Sequence, residues 1–74
     1  MDNNYLINSN ATVKEALSQL NLIESDNILF VVDEDLKLLG SLTDGDIRRG
    51  LIKGIKTNKA ITNVMELNPK FISI

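Results

Sequence analysis

The spacing of hydrophobic positions predicts an amphipathic helix near the start of the 74-residue chain. In the stretch TVKEALSQL, apolar residues recur at the spacing of one helical face: Val13, Ala16, Leu17 and Leu20. Thr12 is followed three residues later by Glu15, which is the capping-box pattern in which each side chain accepts a hydrogen bond from the other residue's backbone. The sequence therefore predicts a helix that begins after Thr12 and buries this face.

Two apolar stretches after this helix predict a β-hairpin. The run ILFVV, from Ile28 to Val32, is unbroken and rich in β-branched residues, which is typical of a strand buried on both faces. Asp33–Asp35 supplies a turn, and Lys37–Thr43 returns as a second strand. A further short strand is expected at Tyr5–Asn8, ahead of the helix.

A second helix is expected from about Asp44 to Lys53. Ile47 and Leu51 share one face of it, and Gly54 suits the position just after a helix C-terminus. Gly50 lies inside the predicted helix, where a glycine costs about 1 kcal/mol relative to alanine. We therefore expect Gly50 to be a weak point.

The last residues predict the beginning of a repeated unit. The stretch ITNVMELNPKFISI contains one short helical turn, a break at Pro69 and the first residues of a strand at Phe71–Ile74. This strand resembles Tyr5–Asn8 in its alternation of apolar and polar residues. We therefore expect the chain to end as a second copy of the same unit begins.

Composition narrows the class of protein. The chain has 43% hydrophobic residues and a net charge of −2, without the basic stripe of a nucleic-acid-binding protein. No apolar run approaches the roughly 18 residues of a membrane span, and the polar start is not a signal peptide. The absence of cysteine fits a reducing compartment. These features predict a soluble, cytoplasmic domain that binds neither nucleic acid nor membrane.

The sequence also argues against an enzyme. It contains no histidine and no cysteine, which removes the commonest zinc ligands and every Ser-His or Cys-His catalytic arrangement. The only pair of carboxylates whose spacing suggests a catalytic role is Asp44 and Asp46. We expect no catalytic residue and no metal ligand.

The stretch LLGSLTDGDIRRG poses the main question, because it crowds acidic residues between a strand and a basic helix. One interpretation is structural: Thr43 caps the helix, Asp46 favours its N-terminus, and Asp44 pairs with Arg48. A metal site is a weaker interpretation, because Asp44-Gly45-Asp46 is a short pattern. The window Asp33–Asp44 fails as a calcium loop, since leucine occupies its required glycine position.

A nucleotide site is the third interpretation. A strand that enters a helix N-terminus exposes backbone N–H groups and the positive end of the helix dipole, which suit a phosphate. Thr43 adds a hydroxyl, Asp46 could accept hydrogen bonds from a ribose, and Arg48 or Arg49 could reach phosphate oxygens. The chain has neither a Walker A motif nor a GxGxxG motif, so no familiar phosphate loop applies.

In order, the stretches TVKEAL, VVDEDLKLLGSLTDGDIRR and VMELNP resemble a CBS domain, a small module that usually occurs as tandem repeats. Gly40, Thr43 and Asp46 carry the most specific part of the resemblance. It implies an α+β fold: a β-α-β-β-α unit in which a three-stranded mixed sheet has two helices on one face. It also implies a first repeat over residues 1–60 and, over 61–74, a linker helix and the opening strand of a truncated second repeat.

The resemblance implies a regulatory module rather than a catalyst. The segment GSLTDGDIRR is similar to CBS domains attached to bacterial sugar-phosphate nucleotidyltransferases and sugar-phosphate isomerases, so an attached catalytic domain is expected. In the family, the residue matching Asp46 holds the ribose of AMP, ATP or S-adenosylmethionine, and the residue matching Thr43 lies near the phosphates. No other cofactor is implied. The alternative is a structural dimerisation module without a ligand.

The residues expected to bind the ligand are Thr43, Gly45, Asp46, Arg48, Ile7, Leu29, Phe30 and Val31. The adenine is implied to pack around Ile7 and the stretch from Leu29 to Val31. Many family members have proline at the position of Phe30, so the aromatic ring could narrow the base pocket. Many also have glycine at the position of Leu36, in the hairpin turn.

The expected partner is a second copy of the chain or a second CBS repeat. A lone repeat of this size leaves apolar surface without a partner and gains stability by association. We expect a symmetric dimer through faces of both helices. The candidate contact residues are Val13, Leu17, Ile47 and Leu51.

Overall fold

The structure is a computed structural model that describes residues 5–23 and 28–67. Its elements in chain order are β1 (Leu6–Asn8), α1 (Val13–Leu22), β2 (Ile28–Val32), β3 (Leu38–Thr43), α2 (Asp44–Ile52) and a short 3₁₀ helix (Ile61–Asn63). The predicted β-α-β-β-α order and the helical turn before Pro69 are confirmed. The strand expected at Phe71–Ile74 lies outside the described residues.

The three strands form one mixed sheet in the order β1-β2-β3. β1 runs parallel to β2, with Ile7 opposite Val31, and the predicted hairpin pairs β2 with β3, with Leu29 opposite Leu42. Residues directly opposite each other point to the same face of a sheet. These four residues belong to the core that the two helices cover, so the predicted α+β fold with both helices on one face is confirmed.

The helices supply the other half of this core. Val13 and Ile47 are 0% and 1% exposed, and Ala16 and Leu20 are also buried. This corrects the expectation that Val13 and Ile47 lie on a surface that pairs with a second copy, because their apolar faces are already covered by the sheet. Leu17 is half-buried against the same core.

β2 is less buried than its unbroken apolar sequence predicts. Leu29, Val31 and Val32 are buried, whereas Ile28 and Phe30 are half-buried. Ile28 and Phe30 lie on the sheet face opposite the helices, which is covered only in part. Complete burial of both faces was therefore a wrong prediction for this strand.

Local sequence fixes the ends of both helices. The Glu15 backbone N–H donates to Thr12 Oγ1 at 3.2 Å, and the Thr12 N–H donates to Glu15 Oε1 at 2.8 Å, which confirms the predicted capping box. α2 ends at Ile52, one residue earlier than predicted. Gly54 follows in a left-handed conformation (φ 104°) and donates its N–H to Leu51.

The hairpin turn contains a leucine in an unfavourable backbone conformation. Leu36 has φ 64°, a region that costs an L-residue with a side chain roughly 1–2 kcal/mol. The Asp33 carboxylate holds the turn by accepting hydrogen bonds from the N–H groups of Asp35 and Lys37, at 2.8 and 2.9 Å. A glycine in place of Leu36 would adopt this φ without the steric cost.

The segment after α2 packs back onto the domain. Ile61 is fully buried, and its N–H donates to Ala11 at 2.9 Å. Further along, Glu66 exchanges two backbone hydrogen bonds with Ser41 of β3, at 2.8 and 3.0 Å. Residues 61–66 are therefore part of the same packed unit as the sheet and helices.

Two glycines allow this close return of the chain. A Cβ atom at Gly50 would lie 2.3 Å from Val64 Cγ1, and one at Gly40 would lie 2.3 Å from the Glu66 carbonyl oxygen. Carbon atoms in contact normally stay about 3.5–4.0 Å apart. Gly50 is thus a contact residue rather than the simple weak point expected from helix propensity.

We predict that Gly50→Ala destabilises the domain although alanine is the better helix former. Overpacking of this kind costs about 1–3 kcal/mol, and helix propensity returns only about 1 kcal/mol. Gly45 is the matched control in the same helix, because its added Cβ would have no neighbour nearer than 3.4 Å. Gly45→Ala should stabilise the domain by about 0.5–1 kcal/mol.

Denaturant unfolding of both variants checks this prediction. The double variant Gly50→Ala/Val64→Ala should recover part of the lost stability, since it removes Val64 Cγ1, with which the new Cβ atom would clash. Equal stabilisation by the two glycine substitutions would contradict the close contact.

Candidate functional site

The turn from β3 into α2 is built by a second capping box. Thr43 is the N-cap residue: its Oγ1 accepts a hydrogen bond from the Asp46 backbone N–H at 3.1 Å. In return, Asp46 Oδ2 accepts from the Thr43 N–H at 2.9 Å. The structural interpretation of this stretch is therefore confirmed, and it fixes Asp46 one turn into the helix with its side chain 11% exposed.

The two arginines that follow have different partners. Arg48 pairs with Asp44, with 2.7 Å between Arg48 Nη2 and Asp44 Oδ2. Arg49 instead places its guanidinium against Asp46 Oδ1. The two arginine side chains are similarly exposed, at 71% and 66%, so their neighbours rather than their burial distinguish them.

Gly45 lies inside α2 rather than in a glycine loop. It has no positive φ, and the helix already includes Asp44. The backbone N–H groups at the start of an α-helix have no partner within the helix. The Asp46 N–H is bonded to Thr43, so those of Asp44 and Gly45 are the donors that the capping box leaves at this end.

The apolar residues expected to line a base pocket occupy two different environments. The side chains of Ile7, Leu29 and Val31 are buried in the core beneath the helices. Phe30 is half-buried on the opposite face of the sheet. Among these four, only Phe30 presents appreciable side-chain surface, so the others can meet a ligand chiefly through their backbone.

The register brings a different residue of β2 beside the turn. Ile28 lies directly opposite Thr43, whereas Leu29, Phe30 and Val31 are successively farther along the strand. Ile28 is also half-buried. Pairing β2 with β3 residue by residue from the hairpin turn would place Ile28 opposite Thr43 only if the register shift between Val31 and Val32 were known. The sequence does not show that shift, so Ile28 was missed.

A cleft of about 290 Å³ opens beside α2, on the side where residues 63–66 pack. The polar and charged residues that line the cleft are Asp46, Arg49, Lys53, Asn63 and Glu66. Sequence analysis did not identify Lys53, Asn63 and Glu66 as site residues, because the cleft forms only where the segment after α2 packs against the helix. Arg48 does not line this cleft. The carboxylate of Asp46 therefore stands between the helix cap on one side and a polar cleft on the other.

Two kinds of site or segment are absent from residues 5–23 and 28–67. No group of three or more histidine, cysteine, aspartate or glutamate residues in these ranges could hold a metal ion. No helix in these ranges is long and apolar enough to cross a membrane.

Comparison with known proteins identifies the family. The CBS-domain family model matches residues 1–53. In structure, the chain is similar to Staphylococcus aureus OpuCA, with a TM-score of 0.69 and 27% sequence identity over 85% of this chain and 50% of the OpuCA chain. An uncharacterized protein of Helicobacter pylori strain J99 is 32% identical over 65 residues, which are 88% of this chain and 20% of that protein.

The chain therefore belongs to the CBS-domain family. CBS domains are generally regulatory, ligand-binding modules that are not catalytic in themselves and typically pair with another CBS repeat. The chain spans about one fifth of the Helicobacter protein and half of the OpuCA chain.

We predict that Asp46→Asn lowers the stability of the ligand-free protein more than Asp44→Asn. The first substitution weakens the cap, the ion pair with Arg49 and the favourable charge at the helix N-terminus, which together are worth about 1 kcal/mol. The second removes an exposed i, i+4 pair worth about 0.3–0.5 kcal/mol. Urea unfolding of both variants gives the comparison, and equal losses would contradict the special role of Asp46.

Proposed function

We propose that this CBS domain is the ligand-sensing repeat of a larger protein and binds an adenosine nucleotide at the start of α2. The observation that carries the proposal is that the Asp46 carboxylate has acceptor positions left over after its hydrogen bonds within the protein. Its Oδ2 accepts one bond from Thr43 and its Oδ1 accepts one from Arg49. An ionised carboxylate has about four acceptor positions, so about two remain.

Two remaining acceptor positions match the two hydroxyl donors of a ribose. Acidic residues perform this task in dinucleotide-binding folds. The carboxylate is held in place by the cap before any ligand arrives, so binding requires little ordering of the side chain. The cap and the ribose contact are therefore compatible.

The same helix end suits the anionic part of the ligand. The N–H groups of Asp44 and Gly45 point out of the first turn, where the helix dipole favours negative charge. Thr43 keeps its hydroxyl at this end. A nucleotide would thus place its ribose on Asp46 and its phosphate near the first turn, while the base extends toward Ile28 and the half-buried Phe30.

The protein to which this module belongs is proposed from the resemblance of GSLTDGDIRR. That segment is similar to CBS domains attached to sugar-phosphate nucleotidyltransferases and isomerases, so the regulated activity is proposed to be of that type. The match covers half of the OpuCA chain, so that chain is long enough to hold a second unit of equal size. Because CBS domains typically pair with another CBS repeat, a paired arrangement is proposed for the present protein.

Calorimetric titration with AMP, ATP and S-adenosylmethionine tests nucleotide binding. We expect at least one to bind, and a ligand at 100 times its dissociation constant should stabilise the fold by about 2.7 kcal/mol. Asp46→Asn should weaken binding by about tenfold or more, because charge-assisted hydrogen bonds are lost. Asp44→Asn, which changes a charge that faces Arg48, should leave binding within about twofold.

A module without a ligand would give a different result. If none of the three compounds binds, either to this chain or to a tandem pair of repeats, the structural dimerisation function replaces the sensing function. If binding occurs but Asp46→Asn does not weaken it, the site lies elsewhere.

Self-association is proposed through the exposed end of α2. Leu51 and Ile52 are 40% and 79% exposed and adjacent in the sequence, so they present apolar surface that a second copy of the chain would cover. We predict that the chain sediments as a dimer at micromolar concentration and that Leu51→Glu shifts it toward monomer. Leu36→Glu, at an exposed leucine of the hairpin turn, should leave the dimer intact; dissociation by this control instead would move the interface to the hairpin.

A further inference from the structure

We propose that a groove at the hairpin end of the sheet docks a basic segment of another protein, which inserts a lysine side chain into it. This hairpin groove has a volume of about 260 Å³ and is lined by β1 together with Val32, Asp33, Glu34 and Leu36. Neither Leu51 nor Ile52, which carry the proposed self-association, lines it. Docking at the hairpin is therefore separate from pairing of two copies.

The hairpin groove is also remote from the start of α2. Val32, in the groove, is paired with Leu38 at the beginning of β3. Thr43, at the other end of β3, is paired with Ile28. Five residue steps along a strand span about 17 Å. A protein segment in the groove would therefore leave the Asp46 carboxylate open to a nucleotide.

Leu36 is the lining residue that the fold alone does not explain. Its side chain is 71% exposed, so it adds little to the core, and its φ of 64° is sterically unfavourable for leucine. Residues held in such conformations cluster at binding and switch sites. Leu6 also lines the groove and is 37% exposed, which extends the apolar surface. A partner that covers these two side chains would make a leucine at position 36 favourable.

The charge of the groove is negative and has no compensating cation. Among the described residues, Asp33 and Glu34 line it, and no lysine or arginine does. Neither carboxylate has an ion-pair partner in this part of the chain. Asp33 uses Oδ1 to hold the turn, by accepting from the N–H groups of Asp35 and Lys37. The groove is therefore complementary to a positively charged group.

Apolar surface beside two carboxylates fits the side chain of lysine. Lysine lays its methylene groups along apolar surface and keeps its ammonium group at a polar edge. A volume of about 260 Å³ lies below the roughly 300–1,000 Å³ of sites that enclose a whole small ligand, which favours one inserted side chain. A free amine would also leave most of Leu36 in water. The occupant that covers this leucine is therefore a segment of protein.

Titration of the 74-residue chain with the capped peptide GLKLG, followed by amide NMR, tests docking. We expect saturable binding that shifts the amide signals of Asn8, Val32 and Leu36 but not that of Asp46. A peptide with norleucine in place of lysine should bind at least about threefold more weakly, because it lacks the ammonium group. Raising the ionic strength from about 0.01 M to about 1 M should weaken GLKLG binding, since the Debye length falls from about 30 Å to about 3 Å.

Substitutions in the hairpin separate the groove from general negative charge. Glu34→Gln should weaken GLKLG binding by about threefold or more, whereas Asp35→Asn, at an exposed neighbour outside the lining, should change it by less than about twofold. Leu36→Gly should also weaken binding by about threefold or more while raising the Tm, because glycine accepts this φ and lacks the side chain. Leu22→Ala, at an exposed leucine outside the groove, should leave binding within about twofold.

Four results would overturn the proposal. If GLKLG does not bind, or binds no better than the norleucine peptide, the carboxylates do not select a cation. If Leu36→Gly raises the Tm without weakening binding, Leu36 has no docking role. Pentylamine that binds as tightly as GLKLG would make the occupant a free amine, and dissociation of the dimer by Leu36→Glu would make it a second copy of the chain. None of these results alters the nucleotide titrations with Asp46→Asn.

Discussion

The reciprocal hydrogen bonds between Thr43 and Asp46 are the interaction on which the site depends. They stop β3, start α2 and hold the Asp46 carboxylate in one orientation at the helix end. Arg49 takes its position from that carboxylate. A local motif of four residues therefore decides where both an acidic and a basic group stand, and the helix dipole adds to the stabilisation of the acidic group.

The cleft beside this motif depends on a second constraint, which is the close return of residues 61–66. Gly50 lets Val64 approach α2, and Gly40 lets the Glu66 backbone approach β3. A side chain at either glycine would push the returning segment outward and change the shape of the cleft. The helix thus gives up some intrinsic propensity at Gly50 in exchange for a contact with a distant part of the chain.

The sequence predicted those features whose causes are local. Both helix starts and the glycine after α2 depend on residues within about one helical turn of each other, and the hairpin depends on two strands joined by a short turn. All of these features are present. The misjudged features depend on distant contacts. An apolar helix face shows that Val13 and Ile47 are buried, but not whether the sheet or a second copy buries them. Helix propensity likewise predicts only the cost of a glycine at position 50, and does not show that Val64 packs where a side chain would lie.

The candidate site divides in the same way. The position of Asp46 at the helix N-terminus could be predicted from its spacing to Thr43. The choice between Arg48 and Arg49 could not, because neighbouring residues on a helix point about 100° apart and only the packed structure shows which direction faces a cleft. The lining by Asn63 and Glu66 depends on the return of the chain after α2.

The pairing of Ser41 with Glu66 also affects how the sheet meets other chains. An uncovered strand edge presents unpaired backbone groups that can recruit a strand from another molecule and so promote aggregation. Along the outer edge of β3, Ser41 is bonded to Glu66 through both its N–H and its carbonyl, and the Thr43 N–H is occupied by the Asp46 carboxylate. The helix cap and the returning segment therefore also close this edge of β3 to strand addition.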